Sequence, residues 1–385
     1  MARPISDVST GGGLVRLGLI VNPIAGVGGR VGLKGSDGAE TVRRALALGA
    51  VPQANARAVR ALDRLRAEAP AGSFALVAAS GPMGEDAARA AGFAPDVVGG
   101  PLPEDTSAED TARIARHMAG SVDLLLVAGG DGTAADVLEA VGATVPVLGI
   151  PAGVKIHSAV FAVSPEAAGA LAAAVVRREP LRLAEAEVLD LDEDAYRRGE
   201  IAPRLLGFLR VPQARRLVQA RKAPSPAGDE VAMAAIAADV VERMERSRAY
   251  VLGPGTTVRA IAERLGLPKT LVGVDVVRDA TLVAGDVAED ALLAIVAEGP
   301  AAVVVTPVGG QGFVFGRGNQ QIGPRVLREV GREHVIVVAT AWKLASLAGL
   351  PLRVDTGDPE VDTRLAGHVL VTTGYRDRAV YRIEA

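Results

Sequence analysis

Short apolar runs alternate with amphipathic stretches along the first half of the chain. Leu17 to Val21, Phe74 to Ala79, Leu124 to Ala128 and Val145 to Ile150 predict buried parallel strands, hydrophobic on both faces. Between them lie Ala-rich segments suited to helices. Ser107, with Asp110 three positions on, predicts a capped helix start that Ala112 to Met118 continues at helical spacing. Strand and helix in alternation predict an α/β domain, with ligands bound beyond the carboxyl ends of its strands.

The pattern changes around Glu179-Pro180. Leu181 to Leu191 opens with apolar residues at alternate positions and runs into Asp190, Asp192, Glu193 and Asp194. A boundary near Pro180 divides the chain into residues 1–180 and 181–385. The segment Arg221 to Glu230, with Pro224, Ser225, Pro226 and Gly228, predicts an exposed loop. Val231 to Arg246 then gathers its apolar residues on one helical face. Further strands are expected at Ala249 to Leu252, Leu271 to Val274, Ala302 to Val305 and Val335 to Ala339.

Composition narrows the function classes. The 385 residues suffice for two cores of ordinary size, and the absence of cysteine excludes disulfides, thiolate metal sites and cysteine nucleophiles. With four histidines, any metal is expected on oxygen ligands. A net charge of -3 and 3% aromatic residues argue against nucleic acid as a partner. Although 49% of residues are apolar, Gly, Pro or charge interrupts every run before the roughly 18 residues needed to span a bilayer, so no membrane is expected. Met1 to Gly13 is polar and lacks the apolar core of a signal peptide, which reads as cytoplasmic.

The chemistry concentrates where Leu124 to Ala128 meets Gly129-Gly130-Asp131-Gly132-Thr133 and an Ala-rich helix beginning at Ala134. Glycines there permit positive φ and let backbone N–H groups approach an anion, and the helix adds its positive end. Asp131, the only charge in the loop, is placed to accept a proton from an attacking hydroxyl or to hold Mg²⁺. Thr133 is placed to donate to a phosphate oxygen. The plainer reading is a turn before a helix.

Gly129 to Thr133 resembles the GGDGT motif of NAD kinases, shared in related form by diacylglycerol, sphingosine and 6-phosphofructo-type kinases. Val21-Asn22-Pro23-Ile24-Ala25-Gly26-Val27-Gly28-Gly29 is similar to the Asn-Pro-glycine loop by which those kinases contact nucleotide. Similarity to the ATP-NAD kinase-like family, including its acetoin-catabolism-associated members, extends over nearly the whole chain. It is carried by Gly149 to Lys155, Thr306 to Phe313, Gly316 to Gln321 and Val354 to Asp358. The resemblance implies an N-terminal Rossmann-like parallel-sheet domain, a C-terminal mixed α/β domain and a site between them. Asp131 is the implied catalytic carboxylate, with ATP or polyphosphate as donor and NAD as acceptor. The chain departs from the better-known pattern in lacking the Asn-Glu pair after GGDGT that NAD kinases use on the dinucleotide.

The expected donor contacts are Asn22, Pro23, Gly26, Gly28, Gly129, Gly130, Gly132 and Thr133, with Thr111 added from a nearby helix start. Lys155, Gly253, Gly255, Thr256, Gln311 and Asn319 are expected to meet the acceptor. Gly253 to Thr257 is a second strand-loop-helix with an anion-ready backbone. Asp355, Asp358 and Asp362 invite a metal reading, but Gly357 and Pro359 favour a turn into a helix whose first turn prefers carboxylates. His157 reads as a packing or hydrogen-bonding residue. A kinase of another polyol, sugar or lipid headgroup, and a non-catalytic NAD- or ATP-binding regulator, are the alternative functions. A dehydrogenase is disfavoured, since neither glycine loop reads G-x-G-x-x-G with an acid about 20 residues on. A two-fold homodimer is the default assembly.

Overall fold

The computed structural model describes residues 14–33, 39–103, 105–154, 156–191, 203–214, 218, 229–270 and 272–385. Its first sheet has five parallel strands: β1 (Val15–Val21), β2 (Phe74–Ala79), β3 (Asp96–Val98), β4 (Leu124–Gly129) and β5 (Val147–Pro151). They lie in the order β3-β2-β1-β4-β5. The order reverses between β1 and β4, and at such a point neighbouring loops run to opposite faces and leave a crevice. The loop after β1 and the loop after β4 both open there.

Helices α1 (Ala39–Ala47), α2 (Ala54–Glu68), α3 (Glu85–Ala90), α4 (Ala108–Ala119), α5 (Asp131–Val141) and α6 (Pro165–Val176) belong to this half, with α2 packed on α6 and α4 on α5. The capping box at α4 forms as expected: Ser107 accepts from the Asp110 N–H, and Asp110 reaches back to the Ser107 N–H. All six residues of β4 are buried, which is why it reads as a continuous apolar run.

Beyond Pro180 the chain forms an antiparallel ribbon, β6 (Arg182–Leu191) with β7 (Pro203–Gln213). Ala186, Val188, Leu209 and Val211 on this ribbon join the core of the first half. The loop expected at 221–230 falls, up to Gly228, outside the described residues, as do Asp192, Glu193 and Asp194.

The second sheet has nine strands: β8 (Ala249–Leu252), β9 (Asp275–Arg278), β10 (Thr281–Ala284), β11 (Ala301–Val305), β12 (Phe313–Phe315), β13 (Val335–Val338), β14 (Leu352–Val354), β15 (Gly367–Gly374) and β16 (Asp377–Glu384). The order is β10-β9-β8-β11-β13-β15-β16-β14-β12, with β8, β11, β13 and β15 parallel and β15–β16 an antiparallel hairpin. The helix expected over Val231 to Arg246 forms as Glu230–Glu242, but its faces do not divide as expected: Asp239 is buried with Ile236, Ala237 and Val240, and Val231 is exposed.

One strand is displaced from its expected place. The sequence reading puts it at Leu271 to Val274, but the paired residues are Asp275 to Arg278. Asp275 accepts from the Thr270 N–H and hydroxyl, and Lys269 Nζ reaches the Gly273 carbonyl, so Thr270 and Gly273 are tied up ahead of the strand rather than in its ladder.

The halves form an α/β pair, a parallel sheet followed by a mixed one. Phe313, from the edge strand β12, is 2% exposed and belongs to the first core, which seats the edge of the second sheet on the first domain. Among the described residues no helix is long and apolar enough to cross a membrane.

Candidate active site

The GGDGT segment is built differently from the sequence expectation. α5 starts at Asp131 rather than Ala134, and Gly130 is its N-cap in an extended conformation (φ -127°). Gly129, Gly130 and Gly132 do not use positive φ. At the first two the requirement is space. A Cβ at Gly129 would stand 2.5 Å from the Thr133 side chain, and one at Gly130 would stand 3.1 Å from Gly153 Cα. The Ala152 and Gly153 N–H groups both donate to the Gly129 carbonyl, at 2.8 and 3.0 Å, so the ends of β4 and β5 are tied together above the sheet.

Asp131 is thereby the first residue of α5, at the mouth of the crevice, with its side chain 13% exposed. Its carboxylate is held by the following loop rather than by its own helix. Oδ2 accepts from the His157 N–H at 2.8 Å and Oδ1 from the Ser158 N–H at 2.9 Å, while His157 Nδ1 lies 3.3 Å from Oδ2. That loop is pinned in turn to β6: the Ser158 hydroxyl bridges the Leu189 N–H and carbonyl, and Ala159 N–H donates to Glu187. The contact falls where β6 slips register against β7, between Val188 and Leu189, which leaves backbone groups free to turn away from the ribbon.

The hydrogen-bonding role read for His157 therefore has a definite partner. The sequence pattern missed that this partner is Asp131, because nothing in local spacing links residues 26 positions apart.

From the other side of the crevice, Asn22 donates its backbone N–H to Ala128 and its Nδ2 to Thr133 Oγ1 at 3.0 Å, while its Oδ1 accepts from Ile24 N–H. One asparagine so fixes the turn through Pro23 and locks it to the first turn of α5. Gly26 takes φ +76°, and a Cβ there would stand 2.0 Å from the Ala152 carbonyl oxygen. Gly28 continues this loop and accepts from Leu33 N–H. Asn22, Gly26, Gly130, Thr133 and Asp131 are thus gathered at one crevice. Thr111 is buried within α4 and spends its hydroxyl on the Ser107 carbonyl.

The second domain closes over this region. Gln311 Nε2 donates to Ile156, next to His157, while Gln320 Nε2 and Gly318 N–H both donate to Val154. Asn319 is buried and turned inward: Oδ1 accepts from Gly316 N–H and Nδ2 donates to Val314, so it shapes its own loop. Gly253, Gly255 and Thr256 form a separate corner at the carboxyl end of β8. There Gly255 (φ +113°) precedes helix Thr256–Arg264, and the buried Lys343 ammonium meets Thr257 and Thr306 hydroxyls. Lys155 lies outside the described residues.

The aspartates after β14 serve three purposes. Asp358 caps helix Pro359–Leu365 through the Glu360 and Val361 N–H groups, as its sequence setting predicts. Asp362 accepts from the Thr356 N–H and hydroxyl; burial raises its pKa above the usual carboxylate range. Asp355, 2% exposed, joins the domains: its Oδ2 accepts from Arg57 of α2 at 2.7 Å and from Arg317 at 3.0 Å. Burial works to push Asp355 up, but the two guanidinium charges prevail and hold it below the usual range.

Among the described residues no three acidic or histidine side chains cluster as a metal cage. Asp131 offers one partly exposed carboxylate with each oxygen already taking a backbone N–H. That donor set fits a Mg²⁺ ion carried largely by phosphate oxygens and water, the common arrangement for this cation in phosphoryl-transfer sites.

The family description of the ATP-NAD kinase N-terminal domain matches residues 17–180, and that of the ATP-NAD kinase C-terminal domain matches residues 247–383. No curated protein and no solved structure matches the chain. Both halves of one family are matched in order, over a parallel and a mixed sheet that meet at the Asp131 crevice, and the chain accordingly belongs to the NAD kinase-like family of phosphotransferases.

Proposed function

We propose that this phosphotransferase converts NAD to NADP, moving a phosphoryl group from ATP or polyphosphate to the adenosine ribose 2'-hydroxyl. The observation that carries the reading is the carboxylate of Asp131, aimed by two backbone N–H groups at the point where the β1 and β4 loops part. Residues 1–180 supply the nucleotide side of the crevice and residues 181–385 the acceptor side.

Transfer of this kind needs positioning and charge neutralisation more than covalent chemistry. Asp131 takes the proton of the 2'-hydroxyl as that oxygen bonds to phosphorus, and the bond from phosphorus to the leaving ADP, or to the shortened polyphosphate, breaks. The His157 and Ser158 N–H groups keep the accepting oxygens oriented. A bound Mg²⁺ would supply neutralisation of the phosphate charge.

Asp131→Asn should lower NADP formation by roughly 10²- to 10⁴-fold, the usual weight of a general base. The amide keeps one backbone N–H satisfied and sets its own N–H₂ against the other, so its stability cost is about 1–3 kcal/mol. Mass-spectrometric detection of phosphorylated NAD with each donor measures the effect, and wild-type turnover in the variant would remove Asp131 from this role. Transfer to a polyol, with none to NAD, would instead support the reading suggested by the missing Asn-Glu pair.

A further inference from the structure

Arg317 is 5% exposed and sits between two glycines of positive φ, Gly316 (+87°) and Gly318 (+74°). A Cβ at Gly316 would overlap the Asp355 carbonyl, so the loop can lie against Asp355 only with glycine there. On its other side Gly318 N–H reaches Val154, the residue after Gly153, whose Cα packs on Gly130. The loop thus delivers a guanidinium to the seam between the domains, beside the GGDGT segment.

Among the described residues only one nitrogen of that guanidinium finds a partner: Nη2 donates to Asp355, whereas Nε and Nη1 are buried and have none. The group stacks 5.0 Å from the Phe313 ring centroid, which fixes its plane. Asp355 does not require it, since Arg57 already pairs with the same oxygen at 2.7 Å and Arg60 lies 4.0 Å from the other. A second buried cation on one carboxylate, with two donors left over, costs stability unless something else uses it. The arrangement is unfavourable enough that burial pulls the Arg317 pKa down to about 10, against the opposing pull of Asp355; Arg57 lowers it further, and Asp131 is near enough for its charge to favour the cation.

Resting on the phosphotransferase reading above, we propose that Arg317 reaches across the seam from the acceptor half and binds the phosphate chain of the donor, with Nε and Nη1 donating to two phosphate oxygens while Nη2 stays on Asp355. The planar fork of arginine matches paired phosphate oxygens, which a lysine cannot reproduce. The two nitrogens are closed to solvent in this conformation, so the flanking glycines or the Arg57–Asp355 contact must yield to admit the anion.

The test is calorimetric titration of the full-length protein with inorganic tripolyphosphate, comparing wild type, Arg317→Met and Arg317→Lys, with ligand-free melting temperatures alongside. Losing a charge-assisted contact weakens affinity roughly tenfold to a hundredfold in Arg317→Met, with an intermediate loss in Arg317→Lys. The ligand-free Met variant should melt no lower than wild type, because a cation with unused donors has been replaced by an apolar chain of similar length. Wild-type affinity in Arg317→Met overturns the proposal, as does a wild type that binds neither tripolyphosphate nor ATP. Should Arg317→Met not fold, unchanged affinity in Arg317→Lys overturns it equally. If NAD is never phosphorylated but tripolyphosphate binding still depends on Arg317, the acceptor assignment falls and this one stands.

Discussion

Asp131 and Asp355 are both acids at the seam between the domains, and they are held by opposite means. Asp131 is gripped by two uncharged backbone N–H groups and keeps 13% of its side chain open. Asp355 is enclosed, at 2% exposure, by guanidinium groups from both domains. Backbone donors orient a carboxylate without adding a counter-charge, the state that the proposed proton transfer calls for. Guanidinium groups consume the charge, and the carboxylate becomes a fastener. Two acids at one seam thus differ in what their partners leave them: one keeps its charge, the other spends it on an ion pair.

Three expectations can break or sharpen this contrast, beginning with the largest. Asp355→Ala leaves Arg57 and Arg317 buried without their counter-ion, and breaking a buried pair in this way costs about 3–5 kcal/mol. Denaturant unfolding measures it, and a loss below about 1 kcal/mol would mean that the interdomain pair contributes little.

The second expectation concerns pH. The Asp355 pKa is depressed in the folded protein, so its stabilising contribution is fully present above the unfolded carboxylate value of about 3.9 and is lost as pH falls through the lower folded value. The stability gap between wild type and Asp355→Asn should therefore be widest above that value and narrow below it. Asp362 and Glu289, both raised by burial, work in the opposite sense. Their contributions are present at low pH and decline as pH rises through their folded values. A gap that stays constant down the acid limb would contradict the assigned direction for Asp355.

The smallest effect is at Thr133. Thr133→Val removes the acceptor for Asn22 Nδ2 and should cost about 0.5–1.5 kcal/mol. A neutral result would mean that Asn22 finds another partner and does not brace the two loops.

The first domain was the more legible half. β4 and β5 are runs buried throughout, and β2 spans the predicted residues, because burial on both faces leaves a local signature; β3, with Asp96 and Val97 exposed, leaves none and was not foreseen. The capping box at Ser107 is equally local. In the second domain, β12 and β14 have three residues each, and β15–β16 has one exposed face, with Leu370 opposite Val380 in the open. Strands so short, or so mixed in exposure, take their identity from neighbours distant in sequence. Gly130 was singled out for the right neighbourhood and the wrong reason, since its need is room for Gly153 rather than an unusual torsion.

The sequence by itself determined the alternation that builds a parallel sheet, the glycine-rich ends of β1 and β4 and the carboxylate between them, because each depends on residues a few positions apart. Only the tertiary structure decided that His157 and Ser158 aim Asp131, and that Asp355 clasps Arg57 across 298 positions. It alone leaves Arg317 with two unused donors at the same seam. Those facts depend on which chain segments the two sheets bring within hydrogen-bond reach, and no spacing along the chain encodes that distance.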